Sequence, residues 1–149
     1  MDAVWKTEGL AEAMFAADEA SRRLGIEIEE LAPGRAVARM RISEGMINGH
    51  GIAHGGYVFL LADTAFAVAC NSFGEPTVAR ACEIVFLRAA QEGDDLRASA
   101  VQRSQSGRSG VYDVTVVRRD GEVIAEFRGQ SAVVRGGDET GRRDSRPAT

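Results

Sequence analysis

The spacing of hydrophobic positions changes along the chain, and each change marks a new element. Leu10, Ala13, Met14, Ala17, Ser21 and Leu24 recur at helical spacing, with Glu8, Glu12, Asp18, Glu19, Arg22 and Arg23 mostly off that stripe. An amphipathic helix stopped by Gly25 is predicted. Ile26, Ile28 and Leu31 predict a short strand, Pro33-Gly34-Arg35 a turn, and residues 36–42 a second strand. Its inward set is either Ala36, Ala38 and Met40 or Val37 and Ile42. Residues 43–56 form a glycine-rich loop. From Tyr57 to about Ser72, apolar residues fall on nearly every face. That pattern predicts a helix buried all round, ended by Phe73-Gly74-Glu75-Pro76.

Beyond Pro76 the period drops to two. Residues 77–87 read as a strand, and Gly93-Asp94-Asp95 as a turn. Leu96, Ala98 and Ala100 then alternate with Arg97, Ser99 and Val101. Ser106-Gly107-Arg108 is a short connection to a strand over 111–118, and Asp120-Gly121 is a strong two-residue hairpin signal. In the last strand Val123, Ala125, Phe127, Ser131 and Val133 alternate with Glu122, Glu126, Arg128 and Gln130.

The order is helix, two strands, buried helix, four strands, with no repeated βαβ unit. It predicts an α+β class with a mostly antiparallel sheet. One helix that is apolar all round needs more cover than one flat sheet face. A curved sheet and a partner subunit would supply it. Residues 1–135 read as a single domain and 136–149, nearly all polar, Gly or Pro, as a disordered tail.

Composition narrows the function classes. The 149 residues are enough for one domain with a real core. A net charge of −4 argues against a general nucleic-acid binder, and no helix-turn-helix pattern precedes the domain. No apolar run reaches the ~20 residues that span a bilayer, and the N-terminus lacks a signal-peptide pattern. A cytoplasmic protein is expected. Cys70 and Cys82 lack metal-ligand spacing and read as core thiols.

The chemistry concentrates between Asn48 and Ala67. A glycine-rich loop (Asn48-Gly49-His50-Gly51-Ile52-Ala53-His54-Gly55-Gly56) opens an apolar helix that carries one carboxylate, Asp63. Helix N-termini offer unpaired N–H groups suited to an oxyanion. A carboxylate among apolar neighbours needs a role or a partner; the bland alternative is a structural Asp bonded to backbone or to Thr64. His50 and His54 are four apart, but they lie in a loop with no Glu or Cys to complete a set, so no metal site is expected. The loop lacks the Gly-Lys-Ser/Thr ending of a nucleotide loop.

Asn48-Gly49, His54-Gly55-Gly56, Leu61-Ala62-Asp63-Thr64-Ala65-Phe66-Ala67 and Cys70-Asn71-Ser72 together resemble the hotdog-fold thioesterases of the phenylacetic-acid-degradation (PaaI) type. Phe86-Leu87-Arg88, Gly110-Val111-Tyr112-Asp113 and Phe127-Arg128-Gly129 extend the resemblance over roughly residues 8–134. The resemblance implies a hotdog fold, a curved antiparallel sheet wrapped round a long central helix. It implies hydrolysis of acyl-CoA to free acid and CoA, with (hydroxy)phenylacetyl-CoA or related aryl or medium-chain esters as substrates. It also implies assembly through the sheets, as a homodimer and then a homotetramer. Ala89-Ala90 stands where this type has Pro-Gly or Pro-Ala, and Glu83 and Val85 stand where Thr and Asn or Asp are usual. Both departures bear on the acyl preference.

On this reading Asp63 attacks the thioester or activates water, the Gly55 N–H polarises the carbonyl, and Asn48 positions water or substrate. His54, Gly56, Thr64, Arg88, Gly107 and Arg108 are candidates for substrate and CoA contacts, with Arg103 a further candidate for a phosphate. Each of these arginines, and Asn48, has an ordinary surface or turn role as its alternative. No metal or cofactor is expected, CoA being part of the substrate. Gly55 and Asp63 are eight positions apart, ~12 Å on one helix. A site composed of Gly55 from one subunit and Asp63 from the other is therefore expected. The rivals are an acyl-thioester hydratase, which needs a His–carboxylate pair, and a non-catalytic acyl-CoA-binding module.

Overall fold

Six strands form one antiparallel sheet in the order β1-β2-β4-β5-β6-β3, and the central helix touches every one of them. The computed structural model describes residues 2–134, so the tail expected over 136–149 lies outside the described residues. The elements are α1 (Asp2–Ala16), α2 (Glu19–Arg23), β1 (Glu27–Ala32), β2 (Arg35–Arg41), α3 (Gly55–Cys70), β3 (Thr77–Phe86), β4 (Asp95–Ser106), β5 (Ser109–Arg118) and β6 (Val123–Val133). This is the α+β arrangement expected from the sequence, a sheet wrapped round one helix.

Register shifts curve the sheet. They fall in β1 between Ile28 and Glu30, in β3 between Ala79 and Ala81, in β4 between Gln102 and Ser104, and in β6 at Ile124, the extra residue opposite Val116 and Val117. Each bends and twists its strand locally. Leu96, Ala98 and Ala100 of β4, Val114 and Val116 of β5, and Ala36, Ala38 and Met40 of β2 are buried against α3. Val37, on the opposite face of β2, is covered as well.

Aromatic packing fixes how α3 lies on the sheet. Phe66 meets Tyr112 and Phe127 at centroid distances of 5.6 and 5.8 Å. Its ring end sits over Gly129, where a Cβ would lie 2.7 Å from the Phe66 Cζ. Only a glycine admits this approach.

Two features differ from the sequence reading. The first helix is broken at Ala17–Asp18 rather than running to Leu24. The Asp18 carboxylate accepts the Ser21 N–H at 3.0 Å and so caps a second short helix. Asp is a strong N-cap because its side chain satisfies a free N–H, and here that local bond overrides the continuing 3.6 period. The central helix is also not buried all round. Gly56, Leu60, Asp63 and Ala67, at i, i+4, i+7 and i+11, lie along one open stripe, Gly56 exposed and the other three partly so.

Among the described residues, the sheet ends beside that open stripe at β3, which pairs with β6. Val78, Val85, Phe86 and Leu87 on and after this edge strand are 41–57% exposed.

Candidate active site

Backbone bonds shape the loop before α3. The Asn48 N–H donates to Ile52 O at 2.8 Å, and Gly51 donates back to Asn48 O at 3.0 Å. Gly51 has φ 79°, a conformation that glycine adopts freely. The Asn48 side chain completes the turn, with Oδ1 accepting from His50 N at 2.9 Å and from Ile52 N at 3.3 Å. The ordinary turn role of Asn48 is therefore real, and it leaves the Nδ2 donors for another partner.

His54 caps α3. Its Nδ1 accepts the Gly56 N–H at 2.9 Å, and its own carbonyl accepts from Tyr57 N at 3.0 Å. The first-turn N–H left over is that of Gly55, which has no acceptor among the described residues. Phe86 lies against Gly55, where a Cβ would stand 2.9 Å from the ring. Gly56 is thus occupied by His54 and is not a second free donor.

Asn48, Gly55 and Arg88 line one cavity of about 340 Å³, together with Ile52, Val58, Phe86 and Leu87. Arg88 reaches it from the segment after β3, held by Glu122 at 3.1 Å and by the Val123 carbonyl at 3.3 Å. Three of the expected residues therefore converge. Gly107 does not join them. It forms the β4–β5 turn with φ 59° and lines a separate cavity of about 280 Å³ with Cys70, Phe73, Gln102 and Tyr112. Arg108 adjoins that turn, and its carbonyl accepts from Val133 N. Arg103 is engaged with Asp113 at 3.0 Å.

Asp63 sits half-buried on the open stripe of α3. Its carboxyl group has no hydrogen bond or ion pair among the described residues. Burial, and secondarily the negative charge of Asp18, raise its pKa above the usual aspartate value. A half-buried carboxylate with no partner is a strained group, and such groups cluster where chemistry is done.

The Thr64 hydroxyl is buried and lies 2.8 Å from the Ser21 Oγ, facing α2 within the chain. Sequence reasoning missed Asp18, Ser21 and Phe86. The Asp-x-x-Ser spacing before a short helix was a usable signal for the first two; Phe86 stood in the Phe86-Leu87-Arg88 run of the resemblance but without a site role.

Burial lifts the Cys70 thiol to about 12, as for a core thiol, and also raises that of Cys82, which is only partly buried against the core on β3. Among the described residues no group of three or more His, Cys, Asp or Glu side chains is arranged to hold a metal ion, and no helix is long and apolar enough to cross a membrane.

A family model described as the thioesterase superfamily matches residues 50–125. The chain is similar to the acyl-coenzyme A thioesterase PaaI of Escherichia coli (strain K12), at 47% identity over 131 residues, 88% of this chain and 93% of that protein. The solved structure of the E. coli PaaI protein, from the phenylacetic acid degradation operon, matches with a TM-score of 0.85 at 45% identity, covering 88% of this chain and 95% of that one. A mutant of the phenylacetic acid degradation protein PaaI from Thermus thermophilus matches with a TM-score of 0.75 at 37% identity, covering 78% and 99%.

Proposed function

The chain belongs to the thioesterase superfamily, and from that premise we propose that it hydrolyses acyl-CoA thioesters to free acid and CoA, with aryl-acetyl-CoA the preferred class. The observation that carries the chemistry is the pairing of two groups on α3 that are unsatisfied among the described residues: the Gly55 N–H without an acceptor and the Asp63 carboxylate without a donor. One suits a developing oxyanion, the other a nucleophile or base.

In this reading the thioester carbonyl oxygen accepts the Gly55 N–H. Asp63 either takes a proton from an attacking water or attacks the carbonyl carbon itself. Both routes break the C–S bond and release CoA, and in the second water then opens the acyl-aspartyl anhydride. The Asn48 Nδ2 donates to water or to the carbonyl, and Arg88 meets a CoA phosphate at the mouth of the cavity it shares with Gly55. A thioester is already an activated acyl group, so the reaction as proposed draws on no metal or redox cofactor.

Gly55 and Asp63 stand eight positions apart on one helix, ~12 Å by helical rise. One carbonyl does not touch both within a chain. The open stripe of α3 and the exposed apolar edge at β3 lie together, and a second copy of the chain packed there with its helix antiparallel would bring the partner's Gly55 to Asp63. We therefore assign the site to a homodimer interface, with two such dimers forming a tetramer. The aryl-acetyl preference rests on the words attached to the E. coli and T. thermophilus relatives.

The test is CoA release from a panel of aryl-acetyl, medium-chain and enoyl CoA esters, with wild type beside Asp63→Asn. Turnover of phenylacetyl-CoA that falls by at least ~100-fold in the variant supports the reading. Hydration of enoyl-CoA without thiol release favours the hydratase. Tight binding of CoA esters without turnover favours a sensing module.

A further inference from the structure

Asp18 and Ser21 lie outside the residues that family resemblance singles out, yet they connect to the active helix one residue from Asp63. The Ser21 Oγ lies 2.6 Å from Asp18 Oδ2 and 2.8 Å from Thr64 Oγ1. Ser21 is 2% exposed and Thr64 6%, so neither hydroxyl has water as an alternative partner. The proton positions follow from chemistry. An ionised carboxylate only accepts, so the single Ser21 proton goes to Asp18, and the Ser21 oxygen must then accept the Thr64 proton. The chain runs Thr64 to Ser21 to Asp18, and its direction is fixed by the charge at its end.

We infer that Asp18 and Ser21 are positioning residues for Asp63: the hydrogen-bonded chain pins the turn of α3 that carries it, and the Asp18 carboxylate supplies a second negative charge that holds Asp63 ready to accept a proton. A helical threonine hydroxyl usually bonds back to the preceding turn of its own helix. Here it is drawn toward α2, which locks the Thr64 side chain and the backbone beside Asp63. The Asp18 charge is second to burial among the causes that raise the Asp63 pKa. The other titratable groups in the field of Asp63 are Cys82 from β3 and Cys70 from its own helix, both held neutral by burial. Among the described residues, Asp18 is therefore the charged group that acts on it.

This rests on the thioesterase reading for its kinetic consequence but not for the coupling itself, so two readouts are needed. The first is the carboxyl carbon-13 NMR titration of Asp63 in wild type, Asp18→Asn and Asp18→Ser. Asn and Ser both remain strong N-caps, so these variants remove charge while keeping α2 capped. The second is the pH profile of kcat/KM for phenylacetyl-CoA, with Ser21→Ala added. The midpoint of Asp63 is expected to fall in both Asp18 variants. The acid limb of kcat/KM should follow to lower pH, raising kcat/KM on that limb about two- to threefold, as expected for one charge at several ångströms. Ser21→Ala keeps the charge and breaks the chain, so its limb should stay in place while kcat falls and KM holds. An unmoved Asp63 midpoint in the Asp18 variants, or an unchanged kcat in Ser21→Ala, overturns the inference. Absence of wild-type turnover overturns the hydrolase reading instead, and the titration alone then decides the coupling.

Discussion

The His54 imidazole accepts the Gly56 N–H at 2.9 Å, and by doing so singles out the Gly55 N–H as the open donor at the start of α3. A cap of this kind contributes about 1 kcal/mol to helix stability. It also fixes the first turn that carries the Gly55 N–H. His54→Ala should lower stability by that amount and reduce kcat about tenfold, since about 1.4 kcal/mol of lost orientation is one decade in rate. His54→Asn, which restores a capping oxygen, should recover most of both. Thermal melts and kcat for the two variants check this. Loss of all turnover in both variants would instead assign His54 a direct proton-transfer role.

Asp63 should show a trade of activity against stability. Its folded pKa is raised, mainly by burial, so the folded state holds the proton more tightly than the unfolded chain does. The sign follows: folding loses stability as pH rises from the unfolded pKa through the higher folded one, and the penalty is complete above that window. Asp63→Asn should therefore melt at a higher temperature than wild type at pH 7, since it removes a half-buried charge that has no partner among the described residues. The gain should vanish at pH values below the ordinary aspartate range. The same shift places the acid limb of wild-type kcat/KM above that range. Melting curves at several pH values decide this, and a variant less stable at pH 7 would mean that Asp63 has a partner.

Much of the fold was legible because it obeys local periodicity. The alternation Leu96, Ala98, Ala100 and the Asp120-Gly121 turn each encode their element within a few residues. The Asn48-to-Ala67 segment likewise announced both an oxyanion donor and a carboxylate. What stayed hidden depends on contacts distant in sequence. Ser21 meets Thr64 across 43 positions, and no periodicity reports that. The helix break at Asp18 was hidden because the apolar stripe continues in phase through it. The open stripe of Gly56, Leu60, Asp63 and Ala67 was hidden because three of its four residues are apolar or lack a side chain. Its exposure shows only once the sheet edge at β3 is in place.

Gly55 should tolerate no side chain without loss of rate. A Cβ there would lie 2.9 Å from the Phe86 ring, and a half-exposed ring can swing aside. Gly55→Ala should therefore fold, while the added methyl crowds the approach to the N–H. We expect kcat/KM to fall about 100-fold, the lower end for losing one oxyanion donor. Adding Phe86→Ala should restore stability and leave activity low. Recovery of activity in the double variant would show that ring displacement, not crowding of the donor, was responsible.

The cysteines should prove dispensable. With the Cys70 thiol pushed to about 12 by burial, almost no thiolate exists near neutral pH. Iodoacetamide should leave Cys70 unmodified in the native protein, as read by mass spectrometry, and Cys70→Ala should alter stability far more than kcat. Rapid labelling of Cys70 with loss of turnover would place a nucleophile where none is expected.

The composite site makes the most demanding prediction, because it can be tested by mixing two inactive proteins. Asp63→Asn lacks the carboxylate in both sites of its homodimer, and in Gly55→Val the branched side chain blocks the approach to the N–H donor in both of its own. If each site takes Gly55 from one subunit and Asp63 from the other, a mixed dimer contains one site with both groups intact and one with neither. Random exchange makes half the dimers mixed, and half the sites in those are whole. Activity should then return to about a quarter of wild type, as the two-fold symmetry of such an interface requires. A site confined to one chain predicts no recovery, since every chain in the mixture carries one lesion. Exchange itself is verified by native mass spectrometry, so that an absence of activity in proven mixed dimers would rule out the interface site.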